Sequence, residues 1–215
     1  MCRQCRLAPP LFEIAVAHAV YQGATRSLLH LLKYEGLEPI AERLGGLVAD
    51  RIATIPALPG RMLVIPVPLF RGRRRERGFN QAELLARAAI RSLRRIRPDW
   101  EGEFAPGVLA RQRATQSQAG LSPHERRRNL RGAFFVPDPS RVRKRDVLVV
   151  DDIYTTGATA RACSQALRRA GAATVWVATV ARAQRRQVET FRPETVAEVP
   201  MHEDVATWDG GTTVQ

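Results

Sequence analysis

At 215 residues and 45% hydrophobic content, the chain can build one full domain with a substantial core, with room for a second small module but not for a second full domain. No run of 18 apolar residues occurs, which excludes a helical membrane span, and "MCRQCRLAPP" lacks the apolar centre of a secretory signal, so cytoplasmic residence is expected. The net charge is +13, and of 34 basic residues only Lys33 and Lys144 are lysines; the balance suits a polyanionic partner, and a codon bias toward arginine accounts for it equally well.

The first expected element is a strand over 13–21, "EIAVAHAVY", with β-branched residues and alternation. A helix follows over 25–36, with Thr25 as its cap, Leu28, Leu29, Leu31 and Leu32 as its stripe, and Gly36 as its stop. A second helix spans about 38–53, and "RMLVIPVPL" (61–69) reads as a strand. From Gln81 to Arg97 the apolar spacing is helical, and Pro98 ends it. Residues 110–131 are polar, rich in Gln and Arg, and read as a long loop with a helical turn after Ser122; loops of that length are usually functional. "GAFFVPDP" is a short strand. "DVLVV" (146–150) is apolar throughout, as in a strand buried on both faces. Helix 158–170, closed by Gly171, and strand 174–181 complete a right-handed parallel βαβ unit. After Arg192 the chain carries five acidic residues and no Lys or Arg, and reads as a loose tail over 193–215. The middle is the opposite: residues 71–97 hold ten Arg against two Glu.

The three cysteines, Cys2, Cys5 and Cys163, do not make a disulfide framework. Cys2 and Cys5 form one C-x-x-C, half of a four-ligand Zn²⁺ site, while Cys163 reads as a small core residue.

The chemistry concentrates in "VLVVDDIYTTGAT" (147–159). In parallel α/β sheets ligands sit beyond the carboxyl ends of strands, where Asp151 and Asp152 are expected. The turn "TTGAT" feeds a helix N-terminus, whose unpaired N–H groups favour an anion. Gly157 allows close approach and positive φ, and Thr155, Thr156 and Thr159 add hydroxyl donors. That is a phosphate cradle; the adjacent carboxylates suit ribose hydroxyls or a hydrated Mg²⁺. An ordinary strand followed by a capped helix would not need two carboxylates and three threonines there.

These thirteen residues resemble the 5-phosphoribosyl 1-pyrophosphate (PRPP) signature of type I phosphoribosyltransferases. Together with "LLKYEGL" (31–37), "VIPVPLFRGRRRERGFNQA" (64–82) and "GLSPHERRRNLRGAF" (120–134), they are similar to the ComF family, phosphoribosyltransferase-like proteins associated with competence for DNA uptake. The resemblance implies the type I phosphoribosyltransferase fold, a mainly parallel twisted sheet flanked by helices, over 11–192. It further implies that residues 1–10 are a remnant of a zinc-binding module, of which Cys2 and Cys5 are the matching ligands.

The implied roles follow residue by residue. Asp151 and Asp152 engage the ribose hydroxyls, directly or through Mg²⁺-bound water. Both are the candidate catalytic residues, with Asp152 either a general base toward an incoming nitrogen or a holder of the ribose. Thr155, Thr156, Gly157, Ala158 and Thr159 hold the 5′-phosphate. The pyrophosphate arm falls on the loop from Pro66 to Gly72, with Arg71 and Arg77 as preferred donors. Lys33 joins the site, pairing with the helix dipole being the alternative, and loop 110–131 closes as a lid.

Two classes of function follow. One is a Mg²⁺-dependent enzyme passing the phosphoribosyl group of PRPP to an unidentified acceptor, with a purine or pyrimidine salvage enzyme as a variant. The other is a PRPP-sensing or single-stranded-DNA-binding competence factor, working with DNA or with competence-machinery proteins.

Overall fold

The structure is a computed structural model; it describes residues 9–35, 37–112, 125, 130 and 132–184. The expectations for Cys2 and Cys5, for Gly36 as a helix stop, for most of the lid loop 110–131 and for the tail 193–215 lie outside the described residues.

Among the described residues there are seven strands and five α-helices. In order they are β1 (Ala15–Val20), α1 (Gly23–Glu35), α2 (Glu38–Ala53), β2 (Arg61–Pro66), α3 (Arg71–Arg77), α4 (Gln81–Ile96), β3 (Glu101–Phe104), β4 (Ala110–Arg111), β5 (Phe134–Phe135), β6 (Asp146–Tyr154), α5 (Ala158–Arg169) and β7 (Thr174–Arg182). Five strands form one sheet in the order β1-β7-β6-β2-β3, and every neighbouring pair in it is parallel. β4 and β5 form a separate antiparallel pair.

The apolar runs explain the layering. Along β6, Leu148 and Val150 face one side, packing with Leu29, Leu32, Leu85 and Val48 of α1, α4 and α2. Val147 and Val149 face the other, packing with Cys163 and Leu167 of α5 and with Phe134. β2 and β7 alternate in the same way, Met62 and Val64 on the first face and Leu63 and Ile65 on the second. Each such side chain, fully buried, contributes about 1.5–3 kcal/mol relative to exposure. Helices α2 and α4 approach so closely that a Cβ on Gly45 would lie 2.4 Å from the Cβ of Ala88. Cys163 is a free, buried core residue, as its position in the helix pattern suggests.

Several boundaries differ from the sequence expectation. Helix α1 begins at Gly23, so Thr25 lies in its first turn and does not cap it. Strand β2 ends at Pro66, and "RGRRRER" is helix α3, not loop, with its arginines exposed except for half-buried Arg77. It is closed by Gly78 in the left-handed region, φ 77°, whose N–H bonds the Arg74 carbonyl. Strand β3 arises in "EGEF", a segment without a strand pattern, where the indole of Trp100 lies across Gly102. Strand β6 continues past Val150 to Tyr154, because β7 pairs it through Tyr154 and Arg182. Among the described residues no helix is long and apolar enough to cross a membrane.

Candidate functional site

Beyond Pro66, β2 no longer accompanies β6; the last contact of that pair is the Val67 N–H on the Val150 carbonyl. From Asp151 onward β6 keeps β7 on one edge, while its other edge has no partner strand among the described residues. Since all strands run parallel, the N-termini of α4 and α5 also face this end of the sheet.

Strand alternation sends the two aspartates to opposite faces. Asp152 shares the face of Leu148 and Val150, and Asp151 that of Val147 and Val149. The two carboxylates are therefore not a pincer on one face: a ligand touching both must lie across the strand edge. The Asp151 carboxylate also accepts the Asp152 backbone N–H at 2.9 Å.

Asp152 is 7% exposed and meets two donors from the helical layer on its face. Lys33, in the last turn of α1, sets its Nζ 2.7 Å from Asp152 Oδ2. Gln81, the first residue of α4, donates from Nε2 to the same oxygen at 3.3 Å. Burial works to raise the Asp152 pKa; Lys33 by charge and hydrogen bond, then the Ile153 N–H and Gln81, outweigh it and hold the carboxyl below its ordinary value. On Lys33, burial works against the charge, but Asp152 and then Asp151 overcome it and raise the ammonium above its usual value. For Asp151 the charge of Lys33 is too weak to offset its surroundings. Burial, and then the charge of Asp152, push its carboxyl up to about 8. The two neighbours are thus driven apart: Asp152 is a firm anion, and Asp151 holds a proton until an external cation or donor arrives.

The turn after β6 takes the form its composition suggests. Gly157 sits in the left-handed region at φ 76° and opens α5 at Ala158. The approach is tight, since a Cβ on Gly157 would lie 2.3 Å from the Tyr154 hydroxyl. Thr156 Oγ1 accepts the Ala158 N–H at 3.4 Å, a weak contact. Gly157 bears no side-chain cap, so the first-turn N–H groups of α5 remain suited to an anion.

On α3, Arg71 and Arg77 lie six residues apart, which turns them about 120° from each other around the axis. Arg71 is exposed; Arg77 is half-buried and points inward, giving Nη1 to Gln81 Oε1 at 2.8 Å and standing 5.6 Å from the Tyr34 ring centroid. Arg74 pairs with Glu83 at 2.7 Å. The structure thus brings Lys33 to Asp152 directly and Arg77 to it only through Gln81, and leaves Arg71 exposed at the start of α3.

Gln81 and Asn80 lie at this site, and the sequence marks them only as part of "VIPVPLFRGRRRERGFNQA" (64–82). Buried Asn80 accepts the Ala82 N–H at 3.0 Å and donates to the Val67 carbonyl at 3.1 Å, so one amide caps α4 and pins the segment after β2. Arg111 on β4 is a third. Its guanidinium lies 5.5 Å from the Phe134 ring centroid, burial lowers its pKa, and Arg73 and Asp151 are near enough for their charges to act on it.

For a metal, the described residues hold no cluster of three or more His, Cys, Asp or Glu. Two carboxylates flanking an open strand edge fit Mg²⁺, which keeps most of its water and takes few protein oxygens. A cation there would also offset the burial and the repulsion from Asp152 that together keep Asp151 protonated.

The phosphoribosyl transferase domain model matches residues 80–211. The DNA utilization protein YhgH of Escherichia coli O157:H7 is 37% identical over 179 residues, 82% of this chain and 75% of that protein. Competence protein F of Haemophilus influenzae is 36% identical over 121 residues, 56% of this chain and 50% of that protein. A glutamine PRPP amidotransferase structure from B. subtilis aligns loosely, with a TM-score of 0.39 at 21% identity, over 64% of this chain and 25% of that one.

Proposed function

Because the chain belongs to the phosphoribosyl transferase domain family, and within it to the ComF group of competence and DNA utilization proteins, we propose that it binds PRPP with Mg²⁺ and transfers the phosphoribosyl group to an acceptor with release of pyrophosphate. The observation that carries this reading is the division of labour at the end of β6: a helix N-terminus opened by positive-φ Gly157, beside an anionic, Lys33-held Asp152.

The 5′-phosphate lies on the turn Thr155–Thr159, taking N–H groups from the first turn of α5. The ribose diol donates to Asp152, whose lowered pKa makes it an acceptor at neutral pH and a poor base. Of the two roles considered for Asp152, holding the sugar is therefore favoured over proton abstraction. Asp151 and Asp152 would hold Mg²⁺ through one carboxylate or through water, and the ion would supply charge neutralisation for the leaving pyrophosphate. Arg77, aimed inward from α3, adds a forked donor to the same arm. At C1 of the ribose the bond to pyrophosphate oxygen breaks and a bond to the acceptor nucleophile forms, the acceptor proton leaving to solvent.

The test is pyrophosphate release from PRPP over a panel of bases and amines, wild type against Asp152→Asn. A wild-type rate above background that Asp152→Asn abolishes is expected. Release at only the uncatalysed rate, with PRPP binding intact, would overturn turnover and leave a PRPP-binding factor. One observation favours that second reading: Arg71, Arg73, Arg74 and Arg75 are all exposed on α3, and relatives carry the name DNA utilization protein. Single-stranded DNA affinity that falls steeply with salt and drops when these arginines are removed supports it; salt-independent binding counts against it.

A further inference from the structure

Gln81 is buried, 6% exposed, and its backbone is fixed from both sides by the Asn80 amide, which caps α4 and holds the Val67 carbonyl. Its own side chain spans two charged groups. Oε1 accepts from Arg77 Nη1 at 2.8 Å, and Nε2 donates to Asp152 Oδ2 at 3.3 Å. A guanidinium can only donate and a carboxylate can only accept, so the amide has a single orientation that satisfies both ends. Arg77 is also braced against the Tyr34 ring, and Tyr34 follows Lys33, which holds the same Asp152 oxygen at 2.7 Å. The contacts close a ring: Arg77, Gln81, Asp152, Lys33, Tyr34, Arg77.

We propose that Gln81 is a positioning residue that couples the leaving-group arm to the diol subsite, so that an anion on Arg77 and a sugar diol on Asp152 favour each other's binding. The inference rests on the PRPP reading and deepens it. Nη1 of Arg77 is given to Gln81, which leaves Nε and Nη2 to reach a pyrophosphate oxygen without breaking the internal bond. An anion there orders Arg77, Arg77 orders the Gln81 amide, and the amide orders the carboxylate that receives the diol. Whichever ligand arrives first bears the cost of ordering, and the second finds it already met. By linkage the gain is the same in either direction. The consequence for the reaction is selectivity for a sugar phosphate that still carries its leaving group over one that has lost it.

The test uses the full chain in Mg²⁺ buffer, with ribose 5-phosphate and inorganic pyrophosphate as probes in calorimetric titrations, each alone and with the other saturating. In the wild type each probe is expected to tighten the other by about five-fold. In Gln81→Met, which keeps the volume and removes both hydrogen bonds, the factor falls below about two-fold while each probe still binds. Gln81→Glu serves as the second variant: it keeps an acceptor for Arg77 and sets a like charge against Asp152, so ribose 5-phosphate weakens selectively and pyrophosphate does not. An unchanged coupling factor in a folded Gln81→Met protein, or a wild type that binds both probes independently, overturns the proposal. A wild type that binds neither probe nor PRPP overturns the PRPP reading itself.

Discussion

Replacing Lys33 by methionine keeps the side chain's length and removes the ammonium that lies 2.7 Å from Asp152 Oδ2. Two unit charges at that separation and an effective dielectric of about 20 attract by roughly 6 kcal/mol, which is the ceiling. Lys33 keeps 23% of its side-chain surface in solvent, so water screens part of that attraction. The stranded carboxylate retains Gln81 and the Ile153 N–H, which soften the loss further. The expected cost is about 2–3 kcal/mol, below the full penalty for a broken buried pair. For a chain of this size that lowers Tm by about 5–10 °C. The assay is thermal unfolding of wild type, Lys33→Met, Asp152→Asn and the double variant near pH 7.5, read as a double-mutant cycle. The double variant should be more stable than the sum of the two single losses implies, because neither charge is left alone. Acid supplies an internal control. The Asp152 pKa is lowered in the fold, so its stabilisation is present above the unfolded carboxyl value and is lost as pH falls through the folded one. Lys33→Met and wild type should converge below about pH 4. A Lys33→Met protein within about 0.5 kcal/mol of wild type at pH 7.5 would refute the argument.

Asp151 behaves in the opposite sense. Its folded pKa is raised to about 8, so the stability tied to its proton is complete below the unfolded value and is lost as pH rises through 8; without Mg²⁺, Asp151→Asn should flatten the fall in Tm between pH 5 and 8.5, and an unchanged slope would count against the assignment. Gly157→Ala forces an alanine to φ 76° and sets its Cβ against the Tyr154 hydroxyl; a loss of about 1–3 kcal/mol and of PRPP affinity by calorimetry is expected, and unimpaired binding would show that the turn is not the phosphate seat. Gly45→Ala wedges a methyl between α2 and α4, 2.4 Å from Ala88 Cβ, and should cost about 1–3 kcal/mol in urea unfolding without altering ligand affinity in the folded fraction.

Much of this architecture can be read from residue order, and the reasons are local. Leu84, Leu85, Ala88, Ala89 and Leu93 give α4 its face, and Pro98 follows its end. "VLVV" and "TVWVATVA" are apolar on both sides because helices cover both sides of the sheet. Gly157 announces its positive φ through the turn it opens. The illegible parts depend on partners distant in sequence. "RGRRRER" has no apolar period, and α3 is closed by the Gly78 cap and the Arg74–Glu83 pair. "EGEF" becomes β3 because β2 pairs with it and Trp100 covers its glycine. Asp152 and Gln81 are 71 residues apart, and nothing in either segment names the other. That Asp151 and Asp152 face opposite layers does follow from alternation, once β6 is known to extend beyond Val150.

The pairing of β1 with β7 joins Ala15 to Val177, the beginning of the described chain to its end. A ribosome must therefore add about 160 further residues, roughly 8–30 s of synthesis, before the first strand finds its neighbour. Until then β1 waits unmatched and the growing sheet shows a raw edge, a period of exposure to aggregation and to holding chaperones. Any nonsense lesion before Thr174 would leave that seam permanently undone.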